Sequence, residues 1–241
     1  MRDIRKLAVV FGIIAVLAFG AGTTQANLII NGDFELGNTD FLSDYMYFDQ
    51  PAVPASSYSD PKASLYDEGT YGVGTDPALY HKYWTSFGDH TTGAGNMMIV
   101  NGTKEADVEI WATPESGTIA VTVGETYYFG AWLTSLYPPP VGSGPISPGI
   151  LAFSINGAQI GSDFTAGDVG IWELFYVPWV ADDSVARISL INKNTAYDGN
   201  DVALDDVTFG IEIPGVPEPT TLLLLGLGLI GLAGVRRRCN K

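Results

Sequence analysis

Short apolar runs separated by turn-forming residues characterise the chain between residues 27 and 213. The runs are bounded by Gly, Pro, Asn and Asp, and no 3.6-residue apolar period persists over a helix-length window. This pattern predicts an all-β domain, and the number of strands is typical of a β-sandwich or jelly roll. The predicted strands are Leu28 to Ile30, Asn96 to Val100, Val108 to Ala112, Gly117 to Val121, Thr126 to Leu133, Ile150 to Ile155, Trp172 to Val180, Ala186 to Asn192 and Val202 to Phe209.

The segments that connect these strands differ in length and composition. Between Phe41 and Gly95, Ser, Asp, Pro and Tyr dominate, which predicts loops and a short edge strand. A run of prolines between Tyr137 and Gly149 predicts a second long loop. Asn156-Gly157, in contrast, has the residue types of a two-residue hairpin turn, so the strands on either side of it are expected to pair.

Strict alternation is clearest from Thr126 to Leu133, where successive side chains point to opposite sides of a strand. The first set is apolar and predicts the core face: Tyr127, Phe129, Ala131 and Leu133. The second set is Tyr128, Gly130 and Trp132. By the same period, Asp205 shares a face with Ala203, Val207 and Phe209 in the last predicted strand. An unpaired carboxylate on such a face would be costly to bury.

The first 26 residues have the layout of a signal peptide. Arg2, Arg5 and Lys6 precede an apolar run from Leu7 to Phe19, and Thr24 to Ala26 supplies small residues for cleavage before Asn27. A permanent N-terminal anchor is the alternative, although the run is shorter than the ~20 residues that cross a bilayer.

Residues 214–241 form a second segment whose composition differs from the body. Val216, Pro217, Glu218 and Pro219 precede an apolar stretch at about 220–235, predicted as a membrane helix, and Arg236, Arg237 and Arg238 follow it. An apolar stretch followed by arginines is a stop-transfer signal, which places the body outside the cytoplasm. An ordinary tail anchor has the same outline.

The order and spacing of these tail residues resemble the PEP-CTERM sorting signal. The resemblance implies recognition by an exosortase, a membrane enzyme thought to cut near the Pro-Glu-Pro motif. The two prolines keep this stretch out of a helix, which suits access by a protease at the membrane surface. The expected location is the cell envelope, the cell surface or the extracellular matrix.

The charge of the body excludes one class of partner. Between residues 27 and 213, five basic and 25 acidic side chains give a net charge of −20. Such a domain repels nucleic acid and anionic lipid and attracts cations, calcium among them. Cys239 is the single cysteine, so no disulfide staples the domain.

Three short motifs resemble jelly-roll carbohydrate-binding modules of the galactose-binding-like type. Asn27 to Glu35 resembles their opening strand, Gly199 to Val207 resembles their closing strand, and Trp172 follows a Gly-x pattern at a strand start. The resemblance implies a structural Ca²⁺ near the paired first and last strands. Its ligands would be the Asp33 carbonyl, the Glu35 side chain and the Asp205 carboxylate, which are the hard oxygens that calcium prefers.

The same resemblance implies polysaccharide binding. Aromatic rings stack on sugar rings, and Tyr128 and Trp132, separated by the small Gly130, would form the floor of a groove. Packing of Trp132 inside the sandwich is the alternative.

Enzyme chemistry has little support. His81 and His90 lack metal-ligand spacing, and no Gly-x-Ser-x-Gly elbow is present, so no catalytic residue is predicted. Three hypotheses remain in order of preference: a polysaccharide-binding surface or matrix protein, a structural matrix component without a ligand, and a glycan hydrolase.

Overall fold

Twelve β-strands and one short 3-10 helix are found among residues 27–49, 65–115, 118–137, 147–197, 199–215 and 227–228, which are the residues that the computed structural model describes. Residues 27–214 form one compact unit. The strands are β1 Met46–Tyr47, β2 Thr70–Gly74, β3 Met97–Asn101, β4 Glu109–Ala112, β5 Ile119–Ala120, β6 Thr126–Ser135, β7 Ile150–Ile155, β8 Ala158–Thr165, β9 Glu173–Val180, β10 Val185–Ala186, β11 Ile188–Asn192 and β12 Val202–Gly210, and the 3-10 helix is Pro77–Leu79. The all-β prediction is confirmed.

Two larger sheets face each other. One has six strands in the order β1-β2-β3-β12-β6-β9, and the other has four in the order β4-β11-β7-β8. Strands β5 and β10 form a small third sheet. All the pairings are antiparallel except that of β1 with β2. This is the predicted sandwich of the jelly-roll class.

The inner face of the six-stranded sheet is apolar, as the alternation in β6 predicts. Tyr127, Phe129, Ala131 and Leu133 all belong to the main core cluster. The ring of Phe129 lies 4.4 Å from the ring of Phe153 in β7, so these side chains join the two sheets. Burial of apolar rings of this size is the dominant favourable contribution to folding.

The outer face of the same sheet is also covered at β2, β3 and β12, by residues 65–69 and 75–96, which we call the covering segment. Its side chains and those of the sheet form a second apolar cluster of Leu65, Tyr80, Trp84, Met97, Ile99, Leu136 and Ala203. Gly72 and Gly74 in β2 allow the ring of Tyr80 to lie directly on the strand, since a Cβ at either position would overlap that ring. The strands β2, β3 and β12 of this sheet are therefore buried on both faces along most of their length.

The hairpin predicted at Asn156-Gly157 is confirmed. Both residues have positive φ, 51° and 79°, and β7 pairs with β8 across them. Two positive φ angles define the type I′ turn, which matches the twist of the flanking strands.

Several sequence predictions are corrected by the structure. Residues 28–30 do not form a strand, although the Leu28 amide donates to the Phe209 carbonyl at 2.8 Å beside β12. The region from 41 to 95 contributes more than an edge, because β2 lies between β1 and β3. The residues of β2 lack polar–apolar alternation because both faces of this strand are covered.

The face predicted for the last strand is also wrong. A β-bulge interrupts β12 between Asp205 and Thr208, and Asp206 has a φ of 45°. Val202, Leu204, Val207 and Phe209 consequently face the main core, whereas Ala203 belongs to the outer cluster. The bulge adds one residue and so reverses the alternation of faces. Asp205 therefore lies on the side of Ala203, opposite to Val207.

The two terminal segments lie almost wholly outside the described residues. These include the predicted signal peptide at 1–26, the Val216 to Pro219 motif and Arg236 to Arg238. Leu227 and Gly228, within the segment predicted as a membrane helix, are helical. Among the described residues, no helix is long and apolar enough to cross a membrane.

Candidate functional site

The groove predicted between Tyr128 and Trp132 is occupied by the protein itself. Both side chains lie half-buried on the outer side of β6. The ring of His90 stacks on Trp132, with centroids 3.7 Å apart and an angle of 15° between the planes. Pro214 lies over Gly130, close enough that a Cβ there would overlap its ring. These contacts use a ring face and the space that a bound sugar would need.

A group of acidic side chains is held by residues 88–96, which we call the acid-binding loop. The backbone amides of His90 and Thr91 donate to Asp205 Oδ2 at 2.8 and 3.2 Å. Asp89 belongs to the loop itself; it is buried, and its carboxylate accepts a hydrogen bond from the Gly95 amide at 2.6 Å. The loop therefore binds acids from its own sequence and from β12.

Two of the predicted calcium ligands, Glu35 and Asp205, accept hydrogen bonds from this loop. Glu35 Oε1 accepts a hydrogen bond from the Asn96 amide at 2.7 Å, and Asp33 Oδ1 accepts from the Glu35 amide at 3.4 Å. A Cβ at Gly95 would overlap Glu35 Oε1 and lie 3.2 Å from Asp89 Oδ2, so the Glu35 and Asp89 carboxylates are neighbours. The structure thus ties both Glu35 and Asp205 to the acid-binding loop.

Among the described residues, one group of three side chains could together hold a metal ion, and it includes Asp205 of the predicted set. Ligand atoms of His90, Asp205 and Asp206 all lie within 4.8 Å of one another. His90 Nδ1 is 2.6 Å from Asp206 Oδ2, which favours a donated hydrogen bond from the ring. His90 and Asp206 were missed because the bulge in β12 and the approach of the loop are not visible in the sequence.

The electrostatics of Asp205 suit a bound cation. Burial, and secondarily the neighbouring Asp206 carboxylate, raise the pKa of Asp205 to about 7. Such a shift means that the ionised form is disfavoured where it stands. A cation would remove that penalty, and the carboxylate oxygens of Asp205 and Asp206 are donors that fit calcium, whereas the His90 ring is not.

A different site lies beside the start of β12, and we call it the tyrosine pocket. Its rings come from four separate segments: Tyr66 before β2, Tyr83 after the 3-10 helix, Tyr137 after β6, and Tyr197 before β12. Tyr66, Tyr83 and Tyr197 are 42%, 51% and 56% exposed. The cavity that they border measures about 150 Å³.

Polar and charged side chains complete the wall of the tyrosine pocket. Asp201 is buried and accepts from Trp84 Nε1 at 3.0 Å and from the Gly102 amide at 3.1 Å. Glu68 and Asn101 line the cavity beside it. Carboxylates and amides of this kind can accept hydrogen bonds from ligand hydroxyls.

His81 is packed among the aromatic rings of this pocket. Its ring lies 4.8 Å from Trp84 and stacks at 6.0 Å on Tyr66. Burial lowers the pKa of His81 to about 4, so the ring is neutral at physiological pH. The tyrosine pocket thus combines aromatic faces with hydrogen-bonding groups.

The sequence predictions missed the tyrosine pocket because its residues come from the least periodic parts of the chain. Each of its tyrosines stands in or beside a segment rich in Asp, Gly, Asn or Pro. Exposed aromatic residues in such loops are a recognised signal of binding. That signal names candidates, but it cannot show that four distant segments meet.

Comparison with known proteins adds information on the tail and on the fold. The PEP-CTERM protein-sorting motif matches residues 215–238. The tail therefore carries this motif. The predicted resemblance to the PEP-CTERM signal is thereby confirmed for these residues. No curated protein sequence matches the chain.

Solved structures with a similar arrangement include carbohydrate-binding modules. TmCBM61, solved with β-1,4-galactotriose, has 10% identity and a TM-score of 0.45, and the match covers 78% of this chain and 100% of that one. The tandem CBM22 domains of Paenibacillus barcinonensis Xyn10C have 13% identity and a TM-score of 0.44, with 83% and 49% covered. The enzymatically active domain of bacteriophage CBA120 tailspike protein 4 has 13% identity and a TM-score of 0.42, with 77% and 21% covered.

Proposed function

We propose that this chain is an exported polysaccharide-binding protein, delivered by an exosortase to the cell envelope, the cell surface or the extracellular matrix. The observation that carries the binding proposal is the tyrosine pocket, where aromatic rings from four segments border a cavity with carboxylate and amide groups. Aromatic stacking with a few placed polar groups is how sites for small polar ligands gain both affinity and orientation. Tyr128 and Trp132 are less favoured as ligand-binding residues because His90 stacks on Trp132 and Pro214 lies over Gly130, between the two aromatic residues in sequence.

The sorting step follows from the matched tail. The motif supports recognition by an exosortase at Val216 to Pro219, with the apolar stretch in the membrane before processing. Deletion of residues 217–219 is expected to leave the protein unprocessed in the membrane fraction of its native cell. Detection of the same mature size and location as in the wild type would contradict this step.

A structural Ca²⁺ is the second part of the proposal. The Asp33 carbonyl, Glu35 and Asp205 would hold the ion beside the acid-binding loop and fix that loop against β12. Support comes from the raised pKa of Asp205 and from the two carboxylates that the acid-binding loop gathers. The ion would act on stability, and no sugar contact is assigned to it.

The binding proposal is tested with a glycan array and with migration of residues 27–214 through polysaccharide gels. We expect saturable binding to at least one glycan, lost in Tyr66→Ala and kept in Tyr176→Ala, an exposed tyrosine on β9 outside the tyrosine pocket. No binding to any glycan, with calcium-dependent self-association, would favour the structural matrix role. Release of shorter fragments from a glycan would favour a hydrolase.

A further inference from the structure

The tyrosine pocket has a neighbour with which it shares two residues. A second cavity of about 310 Å³ is lined by Ser135, Tyr137, Pro148, Ala166, Gly167, Asp168, Val169 and Gly199. Tyr137 and Gly199 also line the tyrosine pocket. The two cavities are therefore adjacent.

The two shared residues suit a boundary that a chain-like ligand crosses. Tyr137 is half-buried and presents a ring that meets Tyr83 edge to face, with centroids 6.4 Å apart. Gly199 has a φ of 92° and is buried. Glycine is the residue that adopts that backbone conformation without strain, and no side chain projects from this position of the boundary.

The sizes of the cavities indicate the length of the ligand. A cavity of about 150 Å³ is smaller than the ~300–1,000 Å³ of pockets that enclose a drug-sized molecule. It therefore offers room for a single sugar ring. The adjoining 310 Å³ provides the additional room for the next unit or units of the same chain.

The charges of the lining favour an uncharged ligand. Glu68 and Asp201 line the first cavity, Asp168 lines the second, and His81 is neutral at physiological pH. Lys82 and Lys104 do lie nearby, but their ammonium groups sit over the rings of Tyr83 and Tyr197, at 4.6 and 4.0 Å from the centroids. Cation–π contacts of this kind hold the rings in position.

The charge of the whole body acts in the same direction. With 25 acidic and five basic side chains between residues 27 and 213, the domain repels polyanions before they reach the site.

We propose that the tyrosine pocket and the adjoining cavity are two subsites of one groove, which binds an uncharged polysaccharide through at least two consecutive sugar units across Tyr137. This inference rests on the proposed function.

The length of the ligand is tested by calorimetric titration of residues 27–214 with gluco-, manno-, xylo- and galacto-oligosaccharides of one to four units. For the sugar that binds, we expect the trisaccharide to bind at least tenfold more tightly than the monosaccharide. Equal affinity for the two would overturn the two-subsite groove while leaving polysaccharide binding intact. Binding of none of them, nor of any glycan on the array, would overturn the proposed function itself.

The position of the second subsite is tested by variants. Asp168→Ala is expected to weaken binding of the trisaccharide at least threefold without changing that of the monosaccharide. The main-chain carbonyl of Asp168, which accepts hydrogen bonds from Thr134 Oγ1 and the Ile171 amide, is retained in this variant. Tyr66→Ala should weaken both ligands, and Tyr176→Ala neither. An Asp168→Ala effect equal for both ligands would contradict the assignment of this residue to a second subsite.

The preference for uncharged sugars is tested with an oligouronate of the same length at two salt concentrations. We expect at least tenfold weaker binding than for the neutral oligosaccharide, with a difference that narrows at high salt because exposed charges are screened. Thermal unfolding of every variant checks that it is folded. An oligouronate that binds as tightly as the neutral chain would overturn the charge preference.

Discussion

At β2, β3 and β12 the two faces of the six-stranded sheet are both buried, but by different means. The inner face packs on a second regular sheet through apolar side chains such as Phe129 and Phe153. The outer face is covered by an irregular segment and buries polar groups beside the apolar ones, among them His81, Asp89, Asp201 and Asp205. Regular packing needs only complementary apolar surface, whereas burial of charge needs a hydrogen-bond donor for each acceptor. Both candidate sites of the molecule lie on the outer side for this reason.

The largest effect is expected from a change on the inner face. Phe129→Ala removes a fully buried ring and leaves a cavity against Phe153, so the free energy of unfolding should fall by about 3–5 kcal/mol. Urea denaturation of residues 27–214 measures it. Tyr176→Ala, on an exposed position of β9, is the control and should change stability by about 0.5 kcal/mol or less. A similar loss in both variants would mean that the inner face is not the main core.

The inner face could be predicted from the sequence, and the outer face could not. Period-2 alternation in β6 correctly identified Tyr127, Phe129, Ala131 and Leu133 as core residues. Asn156-Gly157 correctly predicted one hairpin, because both signals are local. The face of Asp205 was missed because a bulge at Asp206 reverses the alternation. The acid-binding loop and the tyrosine pocket depend on contacts between residues about 115 positions apart, such as His90 with Asp205, and no local pattern encodes them.

The next effect is a loss of stability on acidification, which comes from His81 on the outer face. The folded protein binds a proton at this ring only near pH 4, whereas the unfolded chain does so near pH 6.5. The unfolded state therefore holds more protons between these values, and stability present at neutral pH is lost as the pH falls. The contribution amounts to about 3 kcal/mol.

This contribution is measured by comparing wild type with His81→Phe, which removes the titrating group. Chemical denaturation at pH 7 and at pH 4 gives the difference in unfolding free energy at each pH. We expect that difference to move in favour of the variant at the lower pH. A difference independent of pH would show that His81 is not buried as a neutral ring.

Calcium should act on the outer face alone, with a slightly smaller effect. If the ion binds beside Asp205, a calcium concentration one hundred times the dissociation constant stabilises the fold by about 2.7 kcal/mol. Thermal unfolding with calcium and with a chelator should show a higher melting temperature with calcium. Glu35→Ala and Asp205→Ala should abolish the rise, and Asp182→Ala, an exposed acid elsewhere, should retain it. The same rise in all three variants would place the ion elsewhere.

The smallest expected effect is a difference in stability between two variants, one that loses a hydrogen bond to a charged acceptor and one that loses a hydrogen bond to a neutral acceptor. Trp84 Nε1 donates to the Asp201 carboxylate at 3.0 Å, and Trp172 Nε1 donates to the Gly88 carbonyl at 3.1 Å. Replacement of either tryptophan by Phe removes one donor and keeps an aromatic ring. Because bonds to charged groups contribute about 1.5–3 kcal/mol and neutral ones about 0.5–1.5, Trp84→Phe should destabilise more. Trp84 is also the more buried of the two. Combining Trp84→Phe with Asp201→Asn isolates the charged pair, and additivity of the two changes would mean that this bond does not hold the covering segment to β12.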